Sequence, residues 1–395
     1  MKLAIVTNIL TPYRVPLFQA LSGRIEDCTV LLMAEQEENR QWTFDSCLFR
    51  TEVLPGWHIK PKGAEVSLHL NYGVIRSLRR LNPDVVMSGG FAPAHLAAFA
   101  YSKLFKKRYV QWGEFTLRDG AQSSPVRRLV RRMLVGGADA CVASSNEARD
   151  AFVHYGARGR PILTAPMPME VERIHRDAVE FRTSEEYRAW RARYTGVVLL
   201  TVGRLTEAKG IRALLAMYEQ VLAVRHDVSL VLVGDGPDRL LYEAYCRDHG
   251  WNQVHFIGHV DPHQLPRYLA LADLFVFPTL SDTFGAVLSE AMAAELPVVA
   301  SIHAAATNDL IEDGVTGYQC DPKHPATGAE TILRVLALSE SERMALGRAA
   351  YDRVRATDIG PSVDLMVWFL KSRVAEAPEP ARWMWLPRLL KKESR

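Results

Sequence analysis

Residues 277–301 read F-P-T-L-S-D-T-F-G-A-V-L-S-E-A-M-A-A-E-L-P-V-V-A-S. With Leu274-Phe275-Val276 ahead of it, this stretch opens as a short apolar run suited to a buried strand, which Pro278 ends. Ser281-Asp282-Thr283 is a polar turn with the residue types of a helix N-cap. Gly285 lets backbone come close to a neighbour. Ala286 to Ala294 then predicts a helix of small and apolar residues carrying one acid, Glu290, and Leu296 to Ala300 starts the next strand. An acid in so apolar a helix must find a partner or face a cleft, because burial without one is costly. The alternative is a capped helix with Glu290 in solvent.

Upstream, apolar runs at Val197–Val202, Leu230–Val233 and Val254–Ile257 predict further strands with helices between them. Each run ends in a patterned turn. Val202 is followed by G-R-L-T-E-A-K-G, Val233 by G-D-G-P-D-R and Ile257 by G-H-V. In an open parallel sheet, ligands bind outside the carboxyl ends of the strands. Gly203 and Gly234 permit close backbone approach there. Arg204 and Lys209 bring two cations beside a helix expected to start near Lys209, a phosphate site by charge and by dipole. Lone G-x-G patterns are common in turns, and a lysine at a helix start is usually solvated. Four such pieces in order, each at a strand end, carry the argument together.

The first half repeats the alternation without a residue-level repeat. Strands are expected at Leu3–Val6, Val30–Met33, Asp84–Met87, Tyr109–Trp112, Ala140–Ala143 and Ile162-Leu163. Helices are expected after Arg14, over Leu68–Leu81, Pro93–Phe105, Pro125–Leu134 and Asn146–Tyr155. Residues 35–65, with Trp42, Phe44 and Trp57, read as loops and short strands. Residues 165–180, charged and with two prolines, read as a linker. Strands alternating with helices imply α/β architecture with parallel sheets covered on both faces. From Ser339 to Val374 the chain reads as helical, and the tail after it is aromatic and basic.

A chain of 395 residues exceeds what one core usually supports, so two domains are expected. Hydrophobic content of 48% and charged content of 24% are those of an ordinary globular protein, and a net charge of +3 does not argue for nucleic acid. No 18-residue apolar run occurs. Cys28, Cys47, Cys141, Cys246 and Cys320 are scattered without a C-x-x-C, which reads as reduced thiols in a cytoplasm. Arg127-Arg128 and Arg131-Arg132, on a helix with Val126, Leu129, Val130, Met133 and Leu134, suit an anionic membrane surface, as do Lys106-Lys107-Arg108 and the tail from Trp383. A solvated helix face is the competing reading.

The segment from about Gly196 to Cys320 resembles the nucleotide-sugar-binding domain of retaining family-4 glycosyltransferases with the GT-B fold. The resemblance rests on V-G-R-L-x-x-x-K-G at 202–210, V-G-D-G-P at 233–237 and A-D-L-F-V-F-P-T at 272–279. It also rests on S-D-T-F-G-x-V-L-x-E-A-M-A at 281–293, with acid–x7–acid spacing from Asp282 to Glu290, and on D-L-I-E-D-G-V-T-G-Y at 309–318. It implies two Rossmann-like doubly wound domains facing a central cleft: residues 1–168 on the acceptor side, 169–355 on the donor side, and 356–395 as helices packing back on the first domain.

The resemblance also implies roles. Arg204 and Lys209 would hold the diphosphate, and Glu290 the ribose hydroxyls. Asp282 and the backbone at Thr283, Phe284 and Gly285 would address the donor sugar. The backbone at Gly258, His259 and Val260 would contact the base. The sequence departs from the family at Asp282, where glutamate is usual, and at Ala304-Ala305-Ala306, where many members carry glycines. Thr11 to Phe18 looks like an N-terminal motif of some bacterial members, which makes Tyr13 and Arg14, with Gly90 and Glu114, the acceptor or sugar contacts to inspect. No histidine follows the strand at 108–112, so that family role has no bearer here. His95 reads more readily as a packing residue. Glu114 could equally be a solvated loop acid.

The implied chemistry is transfer of a hexose-type sugar, with retention, from a nucleotide diphosphate sugar to an acceptor hydroxyl on a glycan or lipid-linked glycan. No D-x-D and no metal-spaced His/Asp cluster occurs, so cationic side chains and a helix dipole are expected in place of a metal, with no cofactor beyond the donor substrate. The expected location is cytoplasmic, with a peripheral membrane site as a further reading. A nucleotide-sugar epimerase or a non-catalytic sugar-nucleotide-binding protein of the same shape are the alternatives.

Overall fold

The computed structural model describes residues 1–36, 48–59, 68–120 and 124–375. In chain order the strands are β1 Lys2–Thr7, β2 Asp27–Leu32, β3 Arg50–Val53, β4 Gly56–Ile59, β5 Leu68–Asn71, β6 Val85–Ser88, β7 Arg108–Gly113, β8 Ala140–Ala143 and β9 Ile162–Thr164. They continue as β10 Val197–Val202, β11 Val228–Val233, β12 Val254–Gly258, β13 Leu274–Phe277, β14 Val298–Ser301 and β15 Tyr318–Cys320. Two parallel sheets result, ordered β3-β2-β1-β6-β7-β8-β9 and β12-β11-β10-β13-β14-β15, with β4 and β5 forming an antiparallel hairpin. In each sheet the strand order reverses once, between β1 and β6 and between β10 and β13. That reversal opens a crevice at the carboxyl ends.

The chain divides into two compact units: Met1–Pro168 with the chain from Ile359 onward, and Met169–Asp358. In the first unit, successive strand residues serve opposite faces, as a pleated strand requires. Leu3, Ile5, Val85, Met87, Val110 and Trp112 pack against Leu17, Phe18 and Leu21 of helix Val15–Arg24 and against Val363 and Met366 of helix Ile359–Phe369. Ala4, Val6, Val86, Tyr109 and Cys141 pack on the other face against Ala94, Ala98, Leu134, Ala148 and Phe152. In the second unit, Leu199, Leu230, Leu232, Leu274 and Val276 pack against Leu214, Leu215 and Tyr218 of helix Ile211–Val224 and against Ile332 and Val335 of helix Pro325–Leu336. Both sheets are covered on both faces, as their near-continuous apolar runs require. The described cysteines, Cys28, Cys141, Cys246 and Cys320, are buried free thiols.

Four expectations are corrected. Leu68–Leu81 is not one helix: Leu68–Asn71 is β5, and the helix is Val74–Leu81. Pairing with β4 and the Asn71 amide, which donates to Met33 O (2.8 Å) and Leu54 O (3.0 Å), outweigh helical periodicity. Residues 165–180 are a linker only at their start, where the chain passes from one unit to the other at Pro168–Met169. Val171–Thr183 is a helix whose Val171, Ile174, Ala178 and Phe181 are buried while Glu172, Arg176 and Glu180 lie outward. The helix expected near Lys209 starts at Ile211, because Gly210 at φ +70° separates it from a 3₁₀ turn over Glu207–Lys209. Ser281-Asp282-Thr283 caps no helix. Helix Ala286–Ala293 follows Gly285 at φ +96°, without a side-chain cap. Trp42, Phe44, Cys47 and the basic tail lie outside the described residues.

Candidate functional site

The loops leaving β10, β11 and β13 interlock at the switch point of the second unit. Gly203 N donates to Val233 O (2.9 Å), Leu205 N to Asp235 O (3.0 Å) and Gly234 N to Gly258 O (2.8 Å). Gly234 sits at φ +132°, and a Cβ there would lie 1.9 Å from Gly203 O, so only glycine permits this approach. A Cβ on Gly210 would lie 1.8 Å from Pro278 O. Leu280 N donates to Ala208 O (2.9 Å), and Thr279 Oγ1 to the same carbonyl (3.2 Å). The loop carrying Lys209 is therefore pinned to the loop carrying Asp282.

The consequence is an ion pair across the switch point: Lys209 Nζ stands 2.5 Å from Asp282 Oδ2, both side chains partly exposed. Asp282 is itself fixed. Its Oδ1 accepts from Phe284 N (3.2 Å), its N–H donates to His303 O (3.2 Å), and Ala305 N donates to its carbonyl (3.4 Å). The His303 ring is held in turn by Asp321 Oδ1 at 2.9 Å. Arg204 is exposed in the first of these loops. Gly258, at φ +86°, ends β12 beside Arg239, with His259 and Val260 following it.

Glu290 lies in helix Ala286–Ala293, a little over one turn from Gly285. Its side chain keeps some exposure, yet the protein around its carboxyl raises it to about 7 by burial, with Arg173 pulling the other way. Among the described residues no side chain hydrogen-bonds that carboxyl. Arg173 is occupied by Glu170 (3.0 Å) and Asp177 (3.1 Å).

The first unit also builds a charged pair at its switch point. Arg14 follows β1. Its Nη1 donates to Thr7 Oγ1 (3.0 Å), its Nη2 to Glu114 Oε1 (2.8 Å), and its guanidinium lies 4.8 Å from the Trp112 ring centroid and 5.8 Å from that of Tyr13. Burial alone would lower the Arg14 pKa, and the Glu114 charge, the Tyr13 hydroxyl and the hydrogen bond to Glu114 together more than offset this. Glu114 is thus no solvated loop acid. Gly90 lies against His95: a Cβ there would fall 2.6 Å from His95 Nε2. His95 is fully buried, its Nδ1 2.6 Å from Ser88 Oγ, and burial followed by the Arg14 charge lowers it to about 3, so it stays neutral. Its buried Nε2 has no hydrogen-bond partner among the described residues.

Two features escape sequence reasoning. His303 carries no motif of its own and is recruited by the sheet register. Arg131, read from sequence as part of an outward basic face, turns inward. Its guanidinium lies 5.5 Å from the ring centroids of Phe91 and Phe115 and 5.7 Å from that of Tyr155. Phe91 and Phe115, 4.9 Å apart, follow Gly90 and Glu114 directly, so Arg131 clamps the two loops that carry them. Among the described residues, no group of three or more His, Cys, Asp or Glu side chains is placed to hold a metal ion, and no helix is long and apolar enough to cross a membrane.

Residues 184–353 match the family model for glycosyl transferases group 1. An uncharacterized glycosyltransferase of Methanocaldococcus jannaschii is 37% identical over 141 residues, 35% of this chain and 36% of that protein. A phosphatidyl-myo-inositol mannosyltransferase of Propionibacterium freudenreichii is 28% identical over 242 residues, 60% of this chain and 58% of that protein. The chain thus spans between about a third and three fifths of the length of these relatives. Among solved structures, Anabaena HepE in complex with UDP superposes with a TM-score of 0.74 at 18% identity, covering 94% of this chain and all of that one. Sucrose-phosphate synthase of Thermosynechococcus elongatus gives 0.73 at 17%, covering 94% and 98%. At such identities the likeness shows the fold, which is GT-B.

Proposed function

We propose that this chain, whose residues 184–353 match the family model for glycosyl transferases group 1, moves a hexose-type sugar, with retention, from a nucleoside diphosphate to an acceptor hydroxyl. The observation that carries this reading is the second unit's switch point. It presents Lys209 in a replaceable ion pair, glycine-lined backbone at Gly203 and Gly234, and Glu290 with no hydrogen-bond partner among the described residues.

Cleaving the glycosyl–phosphate bond leaves negative charge on the departing diphosphate and positive charge on the sugar. Lys209 leaves Asp282 for the phosphate and, with Arg204, stabilises the charge that grows there, which is where preorganised charge lowers a barrier most. Asp282, freed from Lys209 and still held through Oδ1, takes the sugar hydroxyls with the backbone at Thr283, Phe284 and Gly285. Glu290 accepts from the ribose hydroxyls, and Gly258, His259 and Val260 line the base. The first unit supplies the acceptor contacts from Tyr13, Arg14, Gly90 and Glu114.

A relative named for mannosyl transfer to phosphatidyl-myo-inositol supports a lipid-borne or glycan acceptor. The exposed Val126, Arg127, Arg128 and Leu129 of helix Pro125–Gly137 support a peripheral site on an anionic membrane. Because Arg131 turns inward, that surface is confined to the first turns of the helix.

The test is product analysis with a panel of nucleoside diphosphate hexoses. The expected outcome is a released nucleoside diphosphate and an enlarged acceptor carrying the donor's anomeric configuration, unaffected by a strong chelator. An isomerised sugar nucleotide, an inverted linkage, or turnover restored only by magnesium or manganese would each contradict the corresponding part of the proposal.

A further inference from the structure

The hairpin of β4 and β5 carries a surface that the proposed chemistry does not use. Its register sets Trp57 opposite Leu70 and His58 opposite His69, and facing residues of an antiparallel pair share one side. One side therefore holds His69 and Asn71, both buried. The other holds Trp57 and Ile59, joined by Tyr72, whose ring centroid is 5.7 Å from that of Trp57. Trp57 is 68% exposed and Tyr72 69%, and Val53, Ile59 and Ile75, close to them in sequence, are exposed as well. Clustered large apolar side chains left in water mark an interaction site.

The hairpin is firmly placed. Asn71 ties it to Met33 and Leu54, just beyond the carboxyl ends of β2 and β3, and a Cβ on Gly56 would meet Asn71 Nδ2 at 2.6 Å. It thus stands at the same end of the first sheet as Arg14 and Glu114, with β1, β6 and β7 between it and the strand that helix Pro125–Gly137 leads into.

We infer that the Trp57–Tyr72 face of this hairpin is a membrane contact that inserts into the interfacial layer of an anionic bilayer. The inference rests on the proposed membrane-borne acceptor and adds a second contact to it. Two observations favour lipid over a sugar-stacking platform. The rings are tilted by 56° and share their side of the strand pair with the exposed Ile59, where a saccharide would need hydrogen-bonding groups. The described segments 48–59 and 68–82 carry Arg50, Arg76, Arg79 and Arg80 against one acid, Glu52, which Arg80 and Ser77 already occupy. Exposed apolar rings on segments that carry an excess of cations complement an anionic interface.

The test is cosedimentation of the full chain with phosphatidylglycerol-containing vesicles and with pure phosphatidylcholine vesicles. Three forms are compared: the parent, Trp57→Ser/Tyr72→Ser, and Trp57→Leu/Tyr72→Leu. The parent should bind the anionic vesicles, and less at high salt. The serine variant should bind them about tenfold more weakly or worse, and the leucine variant should recover most of the loss. Both rings are exposed, so all three should share one unfolding midpoint. Parent-like binding by the serine variant overturns the inference and leaves helix Pro125–Gly137 as the membrane contact. Absence of vesicle binding by the parent overturns the inference together with the membrane reading. Intact vesicle binding with weakened affinity for a soluble glycan acceptor overturns it in favour of a sugar platform.

Discussion

Each unit sets a cation against a carboxylate at the point where its strand order reverses, yet the two pairs are built to different ends. In the first unit, Arg14 is held by Thr7, Glu114 and Trp112, reaching neighbours at the ends of β1 and β7. In the second, the Lys209 ammonium pairs, among the described residues, with Asp282, and both side chains reach water. A planar guanidinium fixed on several sides is a rigid part of a surface, whereas a lysine on a flexible stem can exchange its partner for a phosphate. Similar topology and similar charges thus yield a fixed site in one unit and a replaceable contact in the other.

The sharpest way to break this comparison is to remove each cation and measure stability. Arg14→Met leaves Glu114 mostly buried without a partner and should cost about 3 kcal/mol in chemical unfolding, at the low end for a broken buried pair because Glu114 keeps some exposure. Arg14→Met/Glu114→Gln should recover part of that loss. Lys209→Met, at a partly exposed pair, should cost about 1 kcal/mol or less. Equal losses at the two sites would erase the distinction.

Glu290 sharpens the functional side. Glu290→Gln keeps size but would lose the charge-assisted bonds to the ribose proposed for this residue. Donor binding should weaken by about 1.5–3 kcal/mol per lost bond, read as a higher donor KM. An unchanged donor KM in a folded variant removes Glu290 from the site.

The same residue predicts a pH dependence. Its carboxyl is raised from 4.5 to about 7 by burial. A carboxyl raised in the folded state lends stability below about 4.5, and that contribution is lost as pH rises through about 7. The parent should therefore lose stability over that window relative to Glu290→Gln, and the variant should match or exceed the parent above it. Donor affinity should follow the opposite course in the parent, strengthening as the carboxylate forms. Parallel stability curves for the two proteins over that window would contradict this.

The smallest expected effect is at Arg131. With cation–π contacts of about 0.5–1 kcal/mol each, Arg131→Ala should loosen the Gly90 and Glu114 loops. Acceptor KM should rise a few-fold while donor KM stays constant, with partial rescue in Arg131→Lys. A shift in donor KM alone would show that the clamp serves something else.

These differences also explain what could be read from sequence. The second site is written in short contiguous turns, each with its glycine and charge directly after an apolar strand, so Lys209, Asp282 and Glu290 can be read locally. The first site is not. Arg14 and Glu114 are a hundred residues apart and meet only because β7 lies two strands from β1. Arg131 sits in a run of paired arginines, and only packing against Phe91 and Phe115 tells it from its exposed neighbours. Leu68 and Leu70 fit either a helix or a strand until Asn71 and β4 decide between them. The charges of helix Val171–Thr183 conceal a buried stripe at Val171, Ile174, Ala178 and Phe181.

In the proposed step Lys209 exchanges Asp282 for the phosphate of a departing nucleotide. Single-turnover release of nucleoside diphosphate at saturating donor tests this most directly, comparing the parent with Lys209→Ala on the member of the nucleoside diphosphate hexose panel that the parent uses. The prediction is about a hundredfold slower release in a folded variant, as for loss of other preorganised charge stabilisers. Release at the parental rate in Lys209→Ala, or no release by the parent from any member of the panel, would contradict it.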